Sequence, residues 1–340
     1  MRRARLAILL SSAAVAAGVA GTMAARTAEP PHGPLPKQAA LLPPDASFVL
    51  GVDLRRLVES PLYTRFNGGP LEQRKQSWVD LERLTGLNAE RDLTHLIAAG
   101  SGRSDDSGLA LLLGPFERSK IEAALGKDKA VAATSREHAG RKLWMLEPRA
   151  GQKPQAMSVL DDGVIAAGSP VEVEAAIDRQ KARGPGLTEN ATLTALAAKI
   201  DPSATFWMCG DQGLLSTVSG SSAKTAGWTI PAIKTFVASG TLDPDVAATI
   251  LAQTADDGSA KNVTDLLRGL LVMLTMQAGE QQGLKDLASG IAIEQQGTEV
   301  KIGARFSYDT LARLAPPRPE PTPTPLPTRA PAVNKPPRKN

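Results

Sequence analysis

A stretch near residue 100 is written again near residue 240, and this repetition constrains the fold more than any other feature of the chain. Leu96, Ile97, Ala98, Ala99, Gly100 and Ser101 are echoed by Phe236, Val237, Ala238, Ser239, Gly240 and Thr241. Apolar, small and hydroxyl-bearing positions keep the same order. After the first copy come a turn at Asp105, Asp106, Ser107 and Gly108, an apolar run over 109–113 and a helical pattern over 116–125. After the second come a turn over 243–245, an apolar run over 246–251 and a helical pattern from Ala260. Two apolar runs around a polar turn predict an antiparallel hairpin, here followed each time by a helix. The expectation is an α+β chain of two similar halves, residues 45–185 and 186–315, each an antiparallel sheet packed with helices.

The remaining patterns fill in those halves. Residues 47–52 predict a strand, and 54–66 and 72–84 predict helices, the second with Trp78 and Leu81 on its apolar face. Strands are expected at 131–134, 142–146, 156–160 and 164–167, the last two joined by the turn signal Asp161, Asp162, Gly163. Ser169 and Pro170 open a helix over 171–183. In the second half, 191–200 predicts a helix, 204–209 a strand, 212–218 a helix, and 291–294 with 299–306 a closing hairpin turning at Gln296 and Gly297. Gly163 with Gly297, and Gly168 with Gly303, stand at matching places. The helix over 260–279 carries Val263, Leu266, Leu267, Leu270, Leu271 and Leu274, widened by Val272, Met273 and Met276, and is expected to be the most buried in the protein.

Both ends have a different composition. Arg2, Arg3 and Arg5 precede twenty uncharged residues, 6–25, of which twelve are Ala, Gly or Ser. That is the form of an export signal, and Thr22 and Ala24 place small residues where a signal peptidase cuts. Residues 1–24 therefore read as a signal peptide, with an uncleaved anchor as the alternative. Residues 25–44 are rich in proline and read as a linker. Residues 316–340 hold ten prolines in 25 positions and read as an extended, disordered tail. The expected location is outside the cytoplasm, in the periplasm or cell envelope, tethered to the inner membrane if the first segment is retained.

Charge follows the ends too. The chain carries +4 overall, but the three N-terminal arginines and the tail's Arg318, Arg329, Lys335, Arg338 and Lys339 leave the body between them slightly acidic. A basic nucleic-acid surface on the fold is therefore not expected. Lys335, Arg338 and Lys339 are a candidate contact for an anionic envelope polymer or lipid surface. Aromatic residues make up 4% of the chain, which leaves few rings for a stacking platform.

Chemical signals are sparse. The single cysteine, Cys209, lies in an apolar strand pattern and reads as a core thiol. Ser221 and Lys224 match a Ser-x-x-Lys pair, the basis for an alternative reading as an envelope serine hydrolase, but Ser-Asp-Asn and Lys-Thr-Gly companions are missing. His32, His95 and His138 stand alone in sequence, without metal-ligand spacing. The pairs Asp105 and Asp106, Asp161 and Asp162, and Asp256 and Asp257 accompany turns, where short acids bond to nearby backbone. No phosphate loop or dinucleotide fingerprint is present, and no cofactor is expected.

The motifs Leu42-Pro43-Pro44-Asp45-Ala46-Ser47-Phe48-Val49-Leu50-Gly51-Val52-Asp53, Leu84-Thr85-Gly86-Leu87-Asn88, Asp92-Leu93 and Leu113-Gly114-Pro115-Phe116 resemble a family of uncharacterised bacterial secreted proteins. The resemblance covers most of residues 42–314, and it implies no catalytic residue. The functional expectation is a non-catalytic envelope protein that binds a protein partner or a small apolar ligand between its halves, with a structural spacer as a further alternative.

Overall fold

Every strand among the described residues enters one antiparallel sheet. The computed structural model describes residues 35–65, 79, 81–83, 85–101, 108–127, 134–146, 153–212, 233–279 and 281–314. The strands are β1 (Phe48–Asp53), β2 (His95–Gly100), β3 (Gly108–Leu113), β4 (Ser135–His138), β5 (Arg141–Leu146), β6 (Gln155–Asp161), β7 (Val164–Gly168), β8 (Phe206–Asp211), β9 (Ile233–Thr241), β10 (Val246–Thr254), β11 (Ile291–Gln296) and β12 (Glu299–Phe306). Their order is β11-β12-β10-β9-β8-β1-β2-β3-β7-β6-β5-β4. The α+β class with antiparallel pairing is as the sequence predicts. The expected pair of sheets is not: β1 hydrogen-bonds β8 and makes the two sets of strands continuous.

The order away from the β1–β8 junction is alike on both sides. The strand of Leu96 lies beside β1 and the strand of Phe236 beside β8. Beyond them come β3 and β10, then β7 and β12, then β6 and β11. Backbone bonds follow the same scheme: Ser47 N–H donates to Gly100 O at 2.8 Å and Thr205 N–H to Gly240 O at 2.7 Å. Across the junction Asp53 N–H donates to Thr205 O and Asp211 N–H to Ser47 O, both at 2.8 Å. Gly168 faces Leu109 on β3 as Gly303 faces Thr249 on β10. The first side extends further, through the hairpin β4–β5.

Turns set these registers. Asp162 and Gly163, with Gly163 at φ +74°, close β6 onto β7, and Gly297 at φ +56° helps close β11 onto β12. Ala139 and Gly140, both at positive φ, close β4 onto β5 and fix β4 at Ser135–His138. The strand expected at 131–134 is therefore displaced towards this turn, and 131–133 lie outside the described residues.

Helices cover the sheet unequally. On one face, α1 (Leu54–Glu59) serves the first side, Leu62 of α2 (Pro61–Arg65) reaches across to Leu242, Val246 and Tyr308 of the second, and α3 (Ala89–Asp92) and α4 (Arg118–Lys127) serve the first. There Leu54, Leu81, Ile121 and Leu125 meet Trp144, Met157 and Ile165. The opposite face carries α5 (Pro170–Ala182) and α6 (Ala191–Ala197). Ser169 caps α5 by accepting from Glu172 N–H at 3.3 Å, with Pro170 at the first helical position. Val173, Ala176 and Ile177 of α5 and Leu193 and Leu196 of α6 share one core with Val49, Leu111, Cys209 and Val237. That core spans both halves.

The stretch 25–44, read as a linker, ends inside this core. Residues Lys37–Leu41 form a 3₁₀ turn, and Ala39 and Leu42 are fully buried. Asn190 donates through its amide to Pro44 O at 2.9 Å, and Leu187 N–H donates to Leu42 O at 3.1 Å. Proline there ends regular structure but does not prevent burial.

The second side carries α7 (Asp257–Ala278), α8 (Gln282–Ser289) and α9 (Tyr308–Leu314) on the face that holds α4. Its opposite face turns polar in register: the row Val49, Cys209, Val237, Leu251 runs on into Lys301 and Glu294. Those two form an ion pair at 3.4 Å. A one-sided antiparallel sheet with polar residues outward needs no cover.

Candidate functional site

The helix α7 departs most from expectation. Asp256 caps it, accepting from Ser259 N–H at 2.7 Å, and this bond first among several holds its carboxyl below the usual carboxylate range. Ala260, Val263 and Leu267 then pack on Ala252, Val300, Ile302 and Ile293. Past that point burial is one-sided: Leu271 and Leu274 are half-buried and Ala278 is buried. Leu270, Val272, Met273 and Met276 are 38%, 58%, 49% and 77% exposed. The helix expected to be the most buried thus shows an apolar surface to water along its second half.

Two stripes run on it. Val263, Leu267, Leu271 and Leu274 lie on the sheet side, whereas Leu266, Leu270 and Met273, at i, i+4 and i+7, form a second stripe. Read as one pattern, the two look like a single wide buried face. A third flank carries Arg268, Val272 and Met276, and Arg268 Nη2 donates to Ile293 O at 3.2 Å on the outermost strand, β11. Leu266 stands two residues from Arg268 and so points away from that edge.

The sheet beneath is apolar across its middle. Register places Ala110, Ala98, Leu50, Met208, Ala238 and Ile250 side by side on the face that carries α7. Leu50, Ala98 and Ala110 are buried, with Phe48, Leu96 and Met208 packed partly buried against them. Ala238 and Ile250 are half-buried between β8 and α7's footing on β10.

Other candidates fall elsewhere. Ser221 and Lys224, and the tail's Lys335, Arg338 and Lys339, lie outside the described residues, as do His32 and Trp78. Cys209 is buried, its Sγ 3.8 Å from Leu193 O, and desolvation pushes its pKa up to about 12. It is a core thiol in structure as in sequence. His95 begins β2, exposed, with Nε2 3.9 Å from Asp53 Oδ2. Sequence reasoning missed the surroundings of His138, whose Nε2 lies 3.0 Å from Asp178 Oδ1 and whose Nδ1 lies 4.0 Å from Glu174 Oε1. Arg136 also pairs with Glu174. Alternation on β4 and the i, i+4 spacing on α5 bring these residues together, a match visible only once β4 is known to flank that helix. Among the described residues no cluster of His, Cys, Asp and Glu is arranged to hold a metal ion.

An α+β chain whose described strands form a twelve-stranded antiparallel sheet, with an apolar surface helix, is the class that fold and site define. Two solved structures are similar to it, crystal forms III and IV of TP0453, at TM-scores of 0.47 and 0.44 and identities of 11% and 10%. Each match covers 81% of this chain and 95% of the other. No protein-family model and no curated protein matches the chain. No described helix is long and apolar enough to cross a membrane.

Proposed function

We propose that the chain is an exported, non-catalytic cell-envelope protein that holds a small apolar ligand against the middle of its sheet, beside α7. The observation that carries this reading is the exposure of Leu270 and Met273 on a helix half with Arg268 as its one charge. Soluble proteins keep exposed apolar patches to a few hundred Å², and larger or continuous ones mark binding sites. The apolar row runs from Met208, at the junction of the halves, through Ala238 and Ile250 on the second side, beside the place between the halves where a ligand is expected.

The like order of strands about β1 and β8 supports reading the halves as copies of one ancestral unit. Residues 1–24 support export, and the likeness to bacterial secreted proteins belongs to the same reading. Lys335, Arg338 and Lys339 extend it as the contact for an anionic envelope polymer.

The test uses N-phenyl-1-naphthylamine, an uncharged dye that brightens in apolar sites. The mature chain is expected to bind it saturably. Leu270→Gln with Met273→Gln weakens binding about tenfold, while stability, as for surface changes generally, moves by about 0.5 kcal/mol or less. Dye fluorescence that never rises, or that rises equally in the variant, would refute the site.

A further inference from the structure

We propose that the outer edge of β11 docks an extended segment of a partner protein, which adds to the sheet as one more strand. The two ends of the sheet are unlike. At one end β4 has four residues, Ser135, Arg136, Glu137 and His138, and short charged strands are how folded proteins close an edge to pairing. At the other, β11 runs Ile291, Ala292, Ile293, Glu294, Gln295, Gln296. Its one charge, Glu294, is turned to the open face by its pairing with Lys301.

Hydrogen bonding shows which groups β11 offers. Arg305 N–H donates to Gly290 O at 2.8 Å, which makes Gly290 and Arg305 a bonded pair in the register of β11 and β12. Bonded pairs alternate in an antiparallel ladder, so Ala292, Glu294 and Gln296 also bond inward. The backbone amides and carbonyls of Ile291, Ile293 and Gln295 therefore point away from β12. Arg268 confirms the direction by reaching Ile293 O.

The same flank of α7 describes the partner. Val272 and Met276 follow Arg268 by one and two turns on the same flank of the helix, and both are exposed. A strand paired with β11 sets alternate side chains under that flank. Those side chains should be apolar beneath Val272 and Met276, with a carboxylate near Arg268. The arginine then leaves Ile293 O to the incoming amide and takes the carboxylate instead. Strand addition of this kind takes affinity from the backbone and selectivity from the alternate side chains.

The probe is a fluorescein-labelled peptide, Thr-Glu-Thr-Val-Thr-Val-Thr, read by anisotropy on the full chain. Saturable binding is expected. Ile293→Pro removes one outward amide and no ladder bond, a position that sheets tolerate, and weakens binding about tenfold or more. Ile291→Pro, at another outward amide, gives an independent reading if the first variant is unstable. Arg268→Gln weakens the glutamate peptide about threefold to tenfold and leaves a glutamine version unchanged. Absent binding, or equal binding by both proline variants, overturns the proposal. Tighter binding by Arg268→Gln would make the arginine a guard against pairing. A wild-type dimer dissociated by Ile293→Pro would make the occupant a second copy of the chain.

Discussion

Leu42→Ala should lower the stability of the folded body by about 3 kcal/mol, within the usual range for deleting a buried leucine. Leu42 is fully buried in the core that holds Leu187, Leu193 and Ile177. For a body of this size the loss moves the thermal midpoint by roughly 6–12 °C. Gly186→Ala should act through the same contact. A Cβ there would lie 1.8 Å from Ala40 O and 2.5 Å from Ala40 C, both backbone atoms, so the segment over 37–42 must lift. Lifting it also strips Arg179 of Leu41 O, which its guanidinium holds. Arg179 is already disfavoured as a cation by burial, with Glu172 at 3.4 Å as its partner. A buried cation that loses a partner is expensive. Calorimetry of both variants decides the matter: if neither moves the midpoint, residues 37–42 are a linker after all.

That segment shows where sequence reading stops. Proline at 36, 43 and 44 marks the limits of regular structure here, and between them the chain makes only the 3₁₀ turn Lys37–Leu41. It carries no information on whether the irregular chain lies on water or on protein. Burial of Ala39 and Leu42 depends on α5 and on Leu187, about 150 residues away in sequence. The hairpins were legible because alternation and turn chemistry are local: Asp161, Asp162 and Gly163 name a turn wherever the strands go. Most of α7 was legible too, since its apolar spacing over 260–279 is helical, although the cap at Asp256, read as a turn residue, starts it three residues earlier. Its exposure was not. Periodicity gives the stripes of a helix, whereas burial depends on how far the sheet extends beneath them. Leu266, Leu270 and Met273 thus looked like one face with Leu267, Leu271 and Leu274. The joining of the sheets through β1 and β8 also lacks a local mark, because any two antiparallel strands with apolar faces meet its requirements.

At that junction one glycine does leave a mark. Gly51 on β1 stands opposite Trp207 on β8, and a Cβ at Gly51 would lie 2.4 Å from Cε2 and Cζ2 of the indole. The ring therefore lies across the space that a side chain at 51 would fill. Trp207 is itself 6% exposed, packed in the core that spans both halves, so the ring has little room to withdraw. Gly51→Ala should destabilise by about 3 kcal/mol through overpacking, and Trp207→Leu by about 2 kcal/mol through loss of buried surface. The two effects should not add. With leucine at 207 the clash is gone, and alanine in a strand interior is preferred to glycine by up to about 1 kcal/mol. The double variant should thus be as stable as Trp207→Leu alone or slightly more so, a coupling of about 3 kcal/mol in a double-mutant cycle. Denaturant titration of the four proteins measures it. Additive losses would mean that something other than the indole demands glycine at 51. A large coupling would show that the tryptophan on one half and the glycine on the other act as one unit. The apolar row through Leu50 and Met208, their neighbours in register, would then rest on a junction that cannot open without unfolding the sheet.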